Sequence, residues 1–106
     1  MSFRNLSVAD ADARARAGTI TLVDVRPPGE RGIAAVKVPH EALEDGGLER
    51  LLAMPADAPI AFLCHHGGRS AQAAMYFAQR GFSELYNVVG GIDAWSLNVD
   101  PDVPRY

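Results

Sequence analysis

Cysteine is nearly absent from this chain: among 106 residues, Cys64 is the only one. An internal disulfide is excluded, and a lone thiol that must stay reduced fits a reducing compartment, with a cytoplasmic location as the expectation. Long apolar runs are missing too, and none approaches the ~20 residues a membrane-spanning helix needs. The opening Met1-Ser2-Phe3-Arg4-Asn5 lacks the basic-then-apolar pattern of a secretory leader. No basic cluster is present either. Arg14, Arg16, Arg26 and Arg31 are interrupted by acids and apolar residues and the net charge is −3, which argues against a nucleic-acid partner. Repeats, linkers and low-complexity tracts are absent. What remains, with 48% hydrophobic and 22% charged residues, is an ordinary globular mix, expected to form one domain over 1–106.

Alternating element signals run along the chain. Phe3–Leu6 reads as a short strand, and Ser7 as the N-cap of a helix over Val8–Ala17 that Gly18 closes. Thr19–Val25 is β-branched and apolar, and Arg26-Pro27-Pro28-Gly29 must turn. A weak strand is expected at Ala35–Val38, then two short helical pieces within Glu41–Met54, split by Asp45-Gly46-Gly47. Ile60–Leu63 reads as a buried strand, Ser70–Arg80 as a helix stopped by Gly81, Leu85–Val89 as the last strand and Ile92–Trp95 as a short helix. Five apolar strands separated by helices imply an α/β fold: a mainly parallel sheet covered on both faces. The proline-rich tail from Val99 either frays or packs back through Val103 and Tyr106.

Cys64 falls between the apolar strand and the helix, and opens the run Cys64-His65-His66-Gly67-Gly68-Arg69-Ser70. A thiol there faces the free N–H groups and positive pole of the following helix, a field that favours the thiolate. An ordinary thiol with a pKa near ~8.5 is about 3% ionised at pH 7, while a shift to about 6.5 would make it roughly three-quarters thiolate. Gly67 and Gly68 can take positive φ and turn N–H groups inward as an anion nest, and Arg69 adds a positive charge. The competing reading is an inert, packed cysteine, the commonest fate of the residue. Two glycines and a cation immediately after it are not what packing alone requires.

These residues resemble the rhodanese-like sulfurtransferases. The loop CHHGGRS is similar to the family's six-residue cradle, whose cysteine carries a persulfide. Leu22-Val23-Asp24-Val25-Arg26 resembles the strand ending in Asp-Val-Arg, Glu30 lies where the next loop has an acid, and Val88-Val89-Gly90-Gly91-Ile92-Asp93-Ala94-Trp95 resembles the Gly-Gly-Ile-x-Ala-Trp segment. The likeness runs from about residue 6 to 106. It implies a rhodanese-like three-layer fold with a five-stranded sheet, and sulfur transfer through Cys64. Its implied donor is thiosulfate or a persulfide and its acceptor a thiol, cyanide or a protein, with His65, His66, Gly67, Gly68, Arg69 and Ser70 contacting substrate. No organic cofactor or metal is implied. The chain departs from the family in Arg31–His40, which is shorter and lacks the usual His and second Gly. That departure implies a pocket more open or differently lined on that side.

Cysteine phosphatases also close a thiolate cradle with an arginine, but with one residue more than the four between Cys64 and Arg69. Sulfur transfer is therefore the first reading, a non-catalytic binding or regulatory module the second, and a phosphatase the third. For zinc, His65 and His66 would be adjacent ligands with diverging side chains, and only His40 offers itself elsewhere, so no metal is expected. His65 and His66 read as walls of the loop rather than as an obligatory base. Asp24 with Arg26 reads as a structural ion pair, Asp93 and Trp95 as cap and core of the last helix, Ser70 as N-cap or first residue of its helix, and Tyr76 and Phe77 as core and helix-surface residues.

Overall fold

A computed structural model describes residues 3–106; Met1 and Ser2, part of the segment read above for a leader pattern, lie outside the described residues. The order is β1 (Arg4–Leu6), α1 (Val8–Ala17), β2 (Thr21–Asp24), α2 (Pro28–Ile33), α3 (Gly47–Leu52), β3 (Ile60–Leu63), α4 (Gly68–Ala78), β4 (Leu85–Val88) and α5 (Gly91–Asn98). The strands form one parallel sheet in the order β1-β4-β3-β2. The chain thus crosses from one edge to the other through α1, then steps back strand by strand. All β-strand C-termini point the same way, so the loops after β2, β3 and β4 gather at one end of the sheet. No helix among the described residues is long and apolar enough to cross a membrane.

The two-residue period of the strands divides the core. Leu22, Ala61, Leu63, Tyr86 and Val88 pack with Val8, Ala11 and Ala15 of α1 and with Ile92 and Trp95 of α5. Val23, Ile60, Phe62 and Leu85 face the other way, against Leu51 of α3 and Ala74 and Phe77 of α4. Phe62 and Phe77 are fully buried with ring centroids 5.1 Å apart, each worth about 2–3 kcal/mol in removed apolar surface. Ser7 caps α1 by accepting from Asp10 N–H at 3.1 Å, and Gly18 closes that helix at φ +73°.

Several expectations need correction. The sheet has four strands among the described residues, not five. Ala34, Val36 and Val38 are buried and their intervening neighbours exposed, which imitates strand alternation, but they anchor an irregular segment. Only Glu41 pairs with the edge strand, as a single bridge to Val23. The turn expected at Arg26–Gly29 instead opens a helix, because proline at a first helical position surrenders no needed N–H. Within Glu41–Met54 just one helix forms, starting at Gly47, because turns over 44–46 and the left-handed Asp45 and Gly46 displace the first. Helix α4 starts two residues before Ser70, and α5 runs three residues beyond Trp95. The tail packs back: Val103 is 1% exposed.

Candidate active site

Strand β3 delivers Cys64 to the end of the sheet where the loops gather. Its Sγ accepts from Gly67 N–H at 3.0 Å and lies 3.3 Å from Ser70 Oγ. Gly67 achieves this at φ +119°, the left-handed N-cap of α4. The nest expected from two glycines is built by one, since Gly68 is already helical. Ser70 is the third residue of α4, not its cap; it is fully buried and turned inward to the sulfur, to the Gly67 carbonyl at 3.1 Å and to Asn87 of β4. Burial pushes the Cys64 thiol up, but the Ser70 hydroxyl and the N–H groups of Ser70, Gly67 and Arg69 outweigh it and hold the pKa below that of an ordinary thiol.

The loop is tied from behind by α5. Ile92 N–H donates to the Cys64 carbonyl at 2.7 Å and Asp93 N–H to the His65 carbonyl at 3.2 Å. Gly91, at φ +59°, makes that approach possible, as a Cβ there would stand 2.3 Å from the Cys64 oxygen.

Around the mouth runs a chain of contacts. His66 stacks on His65, and His65 on Tyr106, at 4.0 Å between centroids in each case. Tyr106 donates to Glu30 at 2.7 Å, and Arg69 grips both Glu30 oxygens at 2.8 and 2.9 Å. Glu30 lies in α2 rather than in a loop. The hydrogen bonds from Arg69 and Tyr106 hold its carboxyl down to about 2, and the pairing raises the Arg69 guanidinium above its usual value. Arg69 therefore sits at the rim with its charge already engaged. Next to it, a groove of about 420 Å³ opens between Val25, Leu43, Leu48 and Ala73.

Asp24 and Arg26 form the structural unit expected. Arg26, 0% exposed, bonds both Asp24 oxygens at 2.9 and 2.6 Å and reaches the Ala34 carbonyl at 2.7 Å, fixing where α2 and Glu30 lie. Trp95 is buried, but Asp93 does not cap α5; Gly90 occupies that position and Asp93 pairs with Arg105 at 2.9 Å. The expected order of Tyr76 and Phe77 is reversed: Phe77 is core and Tyr76 lies on the surface under Arg80. Far from diverging, His65 and His66 stack, and Asp93 rather than His40 comes near them, with possible ligand atoms within 4.8 Å. The Nε2 of His65 is buried without a partner.

Sequence reading missed Asn87, Gly91 as a spacer, and the Glu30–Arg69–Tyr106 contacts. Asn87 had a signal: it is the polar residue in an otherwise apolar β4, in register with Phe62.

The Rhodanese-like domain family matches residues 7–98. A chloroplastic rhodanese-like/PpiC domain-containing protein 12 of Arabidopsis thaliana is 38% identical over 89 residues, 80% of this chain but 30% of its own length. The chain therefore spans under a third of that relative. Thiosulfate sulfurtransferase GlpE of Pseudomonas paraeruginosa is 32% identical over 74 residues, 70% of this chain and 67% of the relative. A polysulfide-sulfur transferase homodimer from Wolinella succinogenes superposes with a TM-score of 0.73 at 30% identity, covering 99% of this chain and 78% of that one. With its parallel sheet, its cysteine loop and a family match across most of its length, this chain belongs to the rhodanese-like family.

Proposed function

We propose that this chain is a sulfurtransferase that carries sulfane sulfur on Cys64. The observation that carries the reading is the Gly67 N–H held 3.0 Å from Sγ, in a loop with four residues between Cys64 and Arg69. A cradle of that size suits sulfur, and its N–H groups favour an anion there. In the first step the Cys64 thiolate attacks the outer sulfur of a donor such as thiosulfate. A new S–S bond forms, the donor's S–S bond breaks, and sulfite leaves with the electron pair. In the second, an acceptor nucleophile takes the outer sulfur and returns Cys64 as thiolate. Cyanide would leave as thiocyanate, a small thiol or a protein thiol as its persulfide.

The N–H groups of Gly67, Arg69 and Ser70 form the cradle, Gly68 carries the loop into α4, His65 and His66 form its wall, and the Arg69 guanidinium its rim. The cycle requires no organic cofactor or metal, and a reducing compartment such as the cytosol would keep the thiol available. The sulfurtransferase relatives, one named for thiosulfate and one for polysulfide, support the class of reaction. The 1% exposure of Cys64 favours a second reading, a rhodanese-like binding module that does not turn over.

Mass spectrometry of the protein after thiosulfate treatment decides between them. An adduct of about 32 Da on Cys64, discharged by cyanide as thiocyanate and lost in Cys64→Ser, is expected for a covalent sulfur carrier. No adduct and no thiocyanate, with partner binding intact in Cys64→Ser, would leave the binding module. Cys64-dependent hydrolysis of para-nitrophenyl phosphate would turn the assignment to phosphatase chemistry.

A further inference from the structure

We propose that the Asn87 side-chain amide controls the charge on Cys64 through Ser70, by presenting its oxygen to Ser70 when the sulfur is protonated and its nitrogen when the sulfur is an anion. The proposal rests on the preceding reading only in requiring that Cys64 ionise.

It follows from counting protons. Ser70 is fully buried and has one O–H, yet three groups around its Oγ could accept it: Cys64 Sγ at 3.3 Å, the Gly67 carbonyl at 3.1 Å and Asn87 Oδ1. With Oδ1 facing Ser70, the proton goes to the amide, and Ser70 offers the sulfur only a lone pair. That arrangement suits S–H, which then donates to Oγ. A thiolate needs the opposite. When Cys64 loses its proton to water, the Ser70 hydrogen is drawn to sulfur, and Oδ1 is left against an oxygen with no proton between them. A half-turn of the amide puts Nδ2 in its place. The chain then runs Asn87 Nδ2–H to Ser70 Oγ, and Ser70 O–H to the thiolate.

In a persulfide the charge moves to the outer sulfur, the inner one no longer needs a donor, and the amide can return. Asn87 is thus a positioning residue acting through Ser70. The charged and titratable groups near the loop are Arg69 on α4, Glu30 on α2, His65 and His66 in the loop, Asp93 on α5, and Tyr106; none of them bonds Ser70 or Asn87. Variants at these two positions leave that surrounding charge in place.

The test is the ultraviolet titration of the thiolate, read as the signal absent from Cys64→Ser, which subtracts the three tyrosines. Ionised, the carboxylate of Asn87→Asp accepts from Ser70 in either orientation and donates in neither, so the midpoint should rise by about one pH unit, a tenfold loss of thiolate below it. Ser70→Ala should raise it similarly, and Ser70→Thr should restore it. Asn87→Leu, which leaves no competing acceptor, should not raise it. In a Ser70→Ala background the effect of Asn87→Asp should shrink by at least half. A native midpoint in Asn87→Asp would overturn the proposal, as would an undiminished rise without the Ser70 hydroxyl, since charge would then be acting through space. Circular dichroism checks folding, and the Asp and Ala comparisons decide even if the Leu variant does not fold. Sulfur uptake is measured on the same samples: the expected titration without uptake would sink the sulfurtransferase reading alone, and uptake without the expected titration would sink this one alone.

Discussion

Glu30 and Arg69, 39 residues apart in sequence, meet in a two-pronged ion pair of 2.8 and 2.9 Å at the mouth of the cysteine loop. The pair ties α2 to the first turn of α4 and spends the nearest cationic charge on a carboxylate rather than on an incoming anion. Glu30→Gln should therefore lower the KM for thiosulfate severalfold at low salt, with the gain shrinking as salt is added. Steady-state kinetics at two ionic strengths checks it; an unchanged or raised KM would mean that Arg69 does not meet the donor.

The same carboxylate makes a pH signature. Its native pKa, about 2, lies below the ordinary value of 4.5, so its contribution to stability is complete above 4.5 and disappears as pH falls toward 2. Urea midpoints measured across that interval should fall less steeply in Glu30→Gln than in the native chain. At neutral pH the half-exposed pair should be worth no more than about 1 kcal/mol.

Gly91→Ala should cost several kcal/mol, roughly 2–4, because the new Cβ would meet the Cys64 and His65 carbonyl oxygens at 2.3 and 2.5 Å in a left-handed backbone. Its signature is local: the Cys64 titration should move along with the melting temperature. Gly29→Ala is the control, with nothing within 4 Å of its Cβ and a helical setting, and should be neutral or stabilising by about 0.5–1 kcal/mol. Equal losses in the two variants would refute the close-approach argument.

Asp24→Ala should destabilise by about 3–5 kcal/mol, since it strands a guanidinium that is 0% exposed. Chemical denaturation measures it. A loss below 1 kcal/mol would mean that water enters to solvate Arg26.

Tyr106→Phe removes the hydrogen bonds to Glu30 and Arg26 but keeps the ring on His65, and should cost about 1 kcal/mol. Tyr106→Ala also removes the stack and should speed alkylation of Cys64 by iodoacetamide, which the Phe variant should not. Equal rates in both would show that the ring does not restrict access to the thiol.

Much of this was legible in the residues. Ser7 and Gly18 announced α1, and the apolar run Ile60–Leu63 followed by Cys64 and two glycines announced the strand, loop and helix of the site. Errors arose where a local pattern has two physical causes. Alternation at 34–38 marks side chains reaching into a core, and without backbone partners it makes no strand. Pro27-Pro28 serves a turn or a helix start equally well. Long-range polar pairs were invisible for a different reason: nothing near Glu30 in sequence points to Arg69 or Tyr106, and only the sheet order brings them together. Asn87 was legible as an oddity, but its partner was not.

The grip of α5 on the carbonyls of Cys64 and His65 also sets an order of assembly. As the chain is made, β3 and the start of α4 emerge well before residues 90–106, so the loop is without its rear support and its Tyr106 contact until that last segment docks. Until then the Cys64 and His65 carbonyls lack the N–H groups of Ile92 and Asp93. Titrating the thiol during refolding would test whether its reactivity waits for the docking of α5.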